Sequence, residues 1–208
     1  MTKLDKQLLA LNACDDSREW ARGKTLAVAW RTCHRADWML WLASRAEVPR
    51  QALVLAACAC ARTSLQYVKQ GEERPLRAIE AAEDWARGGL TTLEQVRTAA
   101  YAAYAATYDA YAADAAYAAY DAAYAAYAAD AYAPIDAARE ASATAAHAAG
   151  AYAAYAATYD AYAADAAREA SAAYAATYRS KALRSMAALV RKLIPYSMIA
   201  KAMKGGTK

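Results

Sequence analysis

The sequence predicts an all-α protein, a multi-helix bundle with a long central Ala/Tyr-rich helix, and three observations predict it. Alanine, the strongest helix former, dominates the second half of the chain. Leucine, tryptophan and tyrosine recur at spacings of three and four residues, which places them on common helical faces. No run alternates β-branched and polar residues as a half-buried strand would.

Leu4, Leu8, Leu9 and Leu11 set a first helix within residues 3–13, and Asp15, Asp16 or Ser17 offers the cap of a second, which Gly23 ends. Thr25 caps a third across TLAVAWRTC. Asp37 caps a fourth across DWMLWLASRAEV, where Trp38, Met39, Trp41 and Leu42 form one broad apolar face. Pro49 suits the first turn of a fifth, carried through LVLAACACARTSLQYV to Gly71. Pro75 opens a sixth, closed by Gly88 and Gly89. Thr91 or Thr92, with Glu94 close behind, starts the long helix. It meets no breaker before Pro134, so it spans roughly 40 residues, or about 60 Å. Gly150 interrupts the next helix, and Pro195 precedes the C-terminal segment.

These elements divide into a Trp-rich region (1–90), an Ala/Tyr-rich region packed on it as part of one domain (91–194) and a basic tail (195–208). The middle repeats itself: YAAYAATYDAYAAD stands at 101–114 and again at 152–165, and AAREASA at 137–143 and 166–172. The offsets differ, so a solenoid of fixed period is excluded in favour of local duplication. Tyr101, Tyr104, Tyr108 and Tyr111 make a stripe on one face. Tyr117, Tyr120, Tyr124 and Tyr127 continue it on the opposite side, which predicts a helix packed on two sides. Charge is polarised along the chain. Residues 99–177 hold nine acids against two bases, and residues 178–208 hold eight bases and no acid, although the net charge is only +4.

Composition also excludes functions. No apolar run is long enough to span a bilayer and no basic cluster leads a signal-like segment, so the expected location is the bacterial cytoplasm. The 4 cysteines lack framework spacing and are expected as reduced thiols, Cys58 and Cys60 pointing apart on one helix. Cys33 beside His34 has no second ligand pair, so no metal and no cofactor are expected. Phosphate-cradling glycine loops and nucleophile elbows are absent, and no catalytic residue is assigned. The candidate ligand- or partner-binding residues are Trp30, Arg31, His34, Arg35, Asp37, Trp38, Trp41, Arg62, Tyr67, Arg77, Tyr101, Tyr104 and Tyr108. Rings stack on flat or cationic groups, and arginines beside them hold phosphate or carboxylate.

The words SREWARGKTLAVAWRTCHRADWMLWL, ALVLAACACARTSLQYV and GEERPLRAIEAAEDWARGG, followed by an AAYAAYAA tract, resemble a bacterial and phage-borne immunity-protein family, similar to the Imm-5 group, over roughly residues 10–194. The resemblance implies a non-enzymatic inhibitor that blocks a toxin or defence effector. Two alternatives stand beside it. One is a phage counter-defence sponge that sequesters a nucleotide signal by stacking and Arg–phosphate contacts. The other is a structural helical homo-oligomer. Nucleic acid is a partner only through the basic tail. A sponge needs a pocket where arginines and rings converge, and an inhibitor needs an exposed patch.

Overall fold

The computed structural model describes residues 1–109, 125 and 164–205. Among them the protein is all-α, with nine α-helices, one 3-10 turn and no strand. The helices are α1 (Lys3–Ala10), α2 (Asp15–Ala21), α3 (Leu26–Thr32), α4 (Ala36–Arg45), α5 (Arg50–Arg62), α6 (Arg74–Ala86), α7 (Leu93–Asp109), α8 (Ala164–Leu193) and α9 (Tyr196–Gly205), with the 3-10 turn at Leu65–Tyr67.

Local chemistry sets most of the boundaries. Thr2 and Asp5 form a reciprocal capping box on α1, and the Thr25 hydroxyl accepts from the Val28 N–H to cap α3. Thr92 caps α7, but its partner in the box is Gln95 rather than Glu94: the Gln95 N–H donates to the Thr92 hydroxyl and the Thr92 N–H to the Gln95 side chain. Helices α1, α4 and α6 end in one motif, a left-handed residue flanked by two backward hydrogen bonds. At α1 the residue is Asn12 (φ 57°), with Ala13 N–H donating to Leu8 and Asn12 N–H to Leu9. At α4 it is Glu47 (φ 59°), and at α6 it is Gly88 (φ 77°). Gly89 is needed next to it, because a Cβ there would run into the Asp84 carboxylate, which the Thr91 N–H and hydroxyl hold at 2.9 and 2.6 Å.

Three expected boundaries are corrected. The cap of α2 is Cys14, not Asp15, Asp16 or Ser17; the Ser17 hydroxyl donates to the Cys14 carbonyl instead of accepting, and Asp15 pairs with Arg18. Asp37 does not cap α4, which starts two residues earlier than such a cap would allow, with Arg35 as its N-cap. Helix α5 stops at Arg62 instead of reaching Gly71. The Thr63 and Ser64 hydroxyls donate to the Cys60 and Ala61 carbonyls, taking the acceptors that further helical N–H groups would use.

Packing runs as a chain of neighbours. α4 packs on α5, α5 on α6 and α6 on α7, while α8 lies against both α4 and α5, and α9 against α3. The core combines Met39, Leu40, Val54 and Ile79 from the N-terminal helices with Met186, Val190 and Ile194 at the end of α8. Small residues let the axes approach: Ala56, Ala57 and Ala61 on α5 and Ala78 and Ala82 on α6 are all fully buried. The segment 195–208, read as a basic tail, carries α9, which buries Ile199 and Met203 and exposes Lys201 and Lys204. The expected course of the long helix beyond Asp109, the breaks at Pro134 and Gly150 and the tyrosines from Tyr111 to Tyr162 lie outside the described residues.

Candidate functional site

Helices α1 to α4 enclose a pocket of about 380 Å³ whose walls include Trp20, Trp30, Trp38 and Trp41. Three helices, α2, α3 and α4, place the four rings. Trp30 faces inward from the last turn of α3 and is 3% exposed; its indole N–H donates to the Ile194 carbonyl. Trp38 and Trp41, three apart on α4, are half-buried and share one side of that helix. Trp20 comes from α2 and meets Trp38 at 6.1 Å between ring centroids, tilted by 56°. Leu4 and Leu8 of α1 and Met39 and Leu42 of α4 supply aliphatic wall.

Cations stack on three of these rings. The Arg35 guanidinium lies 4.4 Å from the Trp38 centroid, Lys24 Nζ 4.4 Å from that of Trp20, and the Arg45 guanidinium 5.9 Å from that of Trp41. His34 meets Trp20 edge-on at 6.2 Å. Arg35 is fixed further by a two-pronged bond to Asp37, Nε to Oδ1 at 2.9 Å and Nη2 to Oδ2 at 2.6 Å. This bond holds the guanidinium above its ordinary pKa, so it stays charged. Asp37, second in α4, also sits favourably at the helix's positive end. Two thiols line the pocket. Cys14 is exposed, whereas Cys33 is buried, which pushes its pKa up, with Sγ 3.5 Å from the Arg35 carbonyl.

Of the residues singled out from the sequence, Trp30, Arg35, Asp37, Trp38 and Trp41 therefore converge on one pocket. His34 touches its Trp20 wall, and Arg31 is exposed on α3 outside the lining. The others lie elsewhere. Arg62 donates from Nε and Nη2 to buried Glu83 at 2.8 and 3.0 Å, and Arg77 pairs with Glu73 along the surface of α6 at 2.5 Å. Tyr67 sits in the 3-10 turn, Tyr101 is 66% exposed on α7, and Tyr104 packs on the core from the same helix. Tyr108 lies on α7, and its side chain is outside the described residues.

No protein-family model, curated protein or solved structure matches this chain. Sequence patterning missed Trp20, Asp16 and the α1 wall, because only the packing of α1 and α2 against α4 joins them to the tryptophans. Among the described residues no three of His, Cys, Asp and Glu converge as a metal site, and no helix is long and apolar enough to cross a membrane.

Proposed function

We propose that this protein is a non-enzymatic binding protein of the immunity or inhibitor type, and that the α1–α4 pocket is where it grips its partner, a toxin or defence effector. The observation that carries this reading is the convergence of four tryptophans, with Arg35, on one cavity. Tryptophan and arginine dominate the energetics of protein interfaces, and a half-buried ring at a cavity mouth gains most from being covered. The cavity admits one side chain or a compact small molecule. Trp38 and Trp41 form the grip, and Arg35, pinned by Asp37, keeps Trp38 in place.

The sponge reading is the second, favoured by a cavity volume within the range of small-molecule sites. Phosphate has a poor place in it. Two of the Arg35 N–H donors go to Asp37, whose charge balances the guanidinium, while Arg62 and Arg77 are paired with Glu83 and Glu73 away from the lining.

The test is to purify the protein, record its native mass, denature it and analyse the released fraction by mass spectrometry, then to titrate the emptied protein with cyclic nucleotides while following tryptophan fluorescence. Absence of a released small molecule and of nucleotide-induced quenching supports the protein-partner reading. A nucleotide released or captured at one per chain overturns it in favour of the sponge. Trp38→Ala and Trp41→Ala, checked for retained helicity, should each weaken whatever binds by at least about tenfold.

A further inference from the structure

We propose that the outward face of the C-terminal helices binds single-stranded nucleic acid, on a surface separate from the tryptophan pocket. No Asp or Glu occurs from Tyr178 to the end of α9. Within that stretch Lys181, Arg184, Ser185, Ala188 and Lys192 are all exposed, while Leu183, Met186, Ala187 and Val190 are buried. At about 100° per residue the exposed five share one sector of the helix. Three cations therefore lie on a strip of α8 about 17 Å long, and only small side chains stand between them. None of the three has an ion-pair partner among the described residues.

The elements packed against this end of α8 do not cancel its charge. Helices α3 and α5 hold no acid, and α3 adds exposed Arg31. Arg191 of α8, bonded to the Cys33 carbonyl, adds a cation that faces no carboxylate among the described residues. Asp37 of α4 is balanced by Arg35. Glu47, beyond α4, stands in sequence between Arg45 and Arg50, which have no ion-pair partner among the described residues. Asp5 of α1, the helix that meets α9 through Gln7 and Met203, is held by the Thr2 and Gly23 N–H groups. Within α8 itself the nearest acid, Glu169, is about 18 Å along the axis from Lys181.

A row of cations with no acid among them fits a partner whose charge is itself a row, and a phosphodiester backbone is one. An anionic membrane fits less well, because an interfacial helix buries an apolar face in the lipid. Here the exposed sector of α8 holds Ser185 and Ala188, and Ile199 and Met203 of α9 are buried in the protein. Two tyrosines favour a single strand over a duplex. Tyr178 and Tyr196 flank the strip, 42% and 46% exposed, and an unpaired base can stack on a phenol ring. Tyr196 also walls a hollow of about 240 Å³ between α1, α3 and α9, whose lining includes Lys3 and Thr25 and, among the described residues, no carboxylate.

The test is fluorescence anisotropy of a labelled deoxythymidine oligomer of about 20 nucleotides, titrated with the full chain at about 50 to 200 mM salt. Binding should weaken with salt on a log–log slope of about −2, three phosphates at about 0.7 each. Lys181→Gln, Arg184→Gln and Lys192→Gln together should weaken it at least about tenfold and flatten the slope, with helicity and the urea midpoint retained because all three sites are exposed. Removing the same charge elsewhere, by Arg22→Gln, Lys69→Gln and Arg77→Gln together, should change affinity by less than about twofold. Tyr196→Ala should weaken binding of the thymidine oligomer about fivefold or more and leave an abasic oligomer of equal length unaffected. None of the strip's residues lines the tryptophan pocket, so the result is independent of what the pocket binds. No binding at the lowest salt, equal losses in the two triple variants, or indifference to Tyr196→Ala overturns the inference. So does equal or tighter binding of a duplex, of polyglutamate or of phosphatidylserine vesicles.

Discussion

The indole N–H of Trp30 donates to the main-chain carbonyl of Ile194 over 3.1 Å, joining the end of α3 to the end of α8 across 164 positions of sequence. A second bond runs the other way: Arg191 of α8 donates from Nη1 to the Cys33 carbonyl, just past the end of α3, at 2.7 Å. Each helix end thus has a carbonyl satisfied by a side chain of the other, and a cation at the negative end of α3 is favourable in its own right. The wall of the tryptophan pocket is held by the C-terminal part of the chain.

Trp30→Phe removes the donor and leaves a buried carbonyl unpaired. It should lower unfolding free energy by about 1–3 kcal/mol, read as a shift in the urea midpoint without change of slope. Combined with Arg191→Met, the loss should differ from the sum of the two single losses, because both bonds hold the same pair of helix ends.

Acid should unfold the protein partly through Glu83. Its carboxylate is held below the ordinary value chiefly by the hydrogen bond from Arg62, with Arg87 adding a contact at 3.2 Å. A depressed carboxylate contributes stability that is present above the unfolded-state pKa and is lost as pH falls through the folded one. Stability should therefore be level on this account above about pH 5 and decline below it. Glu83→Gln should cost roughly 1–2 kcal/mol at pH 7, discounted for the exposure of Arg62, and should flatten the acid limb of a stability–pH curve.

The left-handed residues make a paired prediction. Glu47 ends α4 at φ 59°, where a side chain is strained, so Glu47→Gly should stabilise by about 0.5–1 kcal/mol. Gly88→Ala, at φ 77°, should destabilise by about 1 kcal/mol. Thermal unfolding of the two variants should move in opposite directions.

Thiol accessibility should be unequal. Cys14 is exposed, while Cys33, Cys58 and Cys60 are buried, and burial raises the pKa of Cys33 and Cys58. A disulfide reagent at neutral pH should modify one thiol rapidly and the other three only after denaturation. An occupant of the pocket should slow the fast phase, because Cys14 lies on its lining.

How much was legible depended on the range of the interaction concerned. Thr25, Pro75, Gly23 and Gly88 act on backbone groups within a few residues, so their capping and turn roles could be read directly. The failures were also local but competitive. Asp37 had two possible partners, the helix N-terminus and Arg35, and only the observed course of the backbone shows that it takes Arg35. Asn12 and Glu47 adopt left-handed conformations that glycine would have announced; asparagine signals one more weakly than glycine, and glutamate does not signal one.

The site divides in the same way. The sequence by itself determined that the protein is helical, that its tryptophans cluster in the first 85 residues and that Trp38 and Trp41 share a helical side, because helical periodicity fixes direction over three or four residues. Only the tertiary structure decided that Trp30, Arg35, Asp37, Trp38 and Trp41 meet around one cavity while Arg62 and Arg77 turn away to Glu83 and Glu73. That outcome depends on which helix packs on which, and this is set by the fit of buried surfaces from distant parts of the chain, which no local spacing encodes.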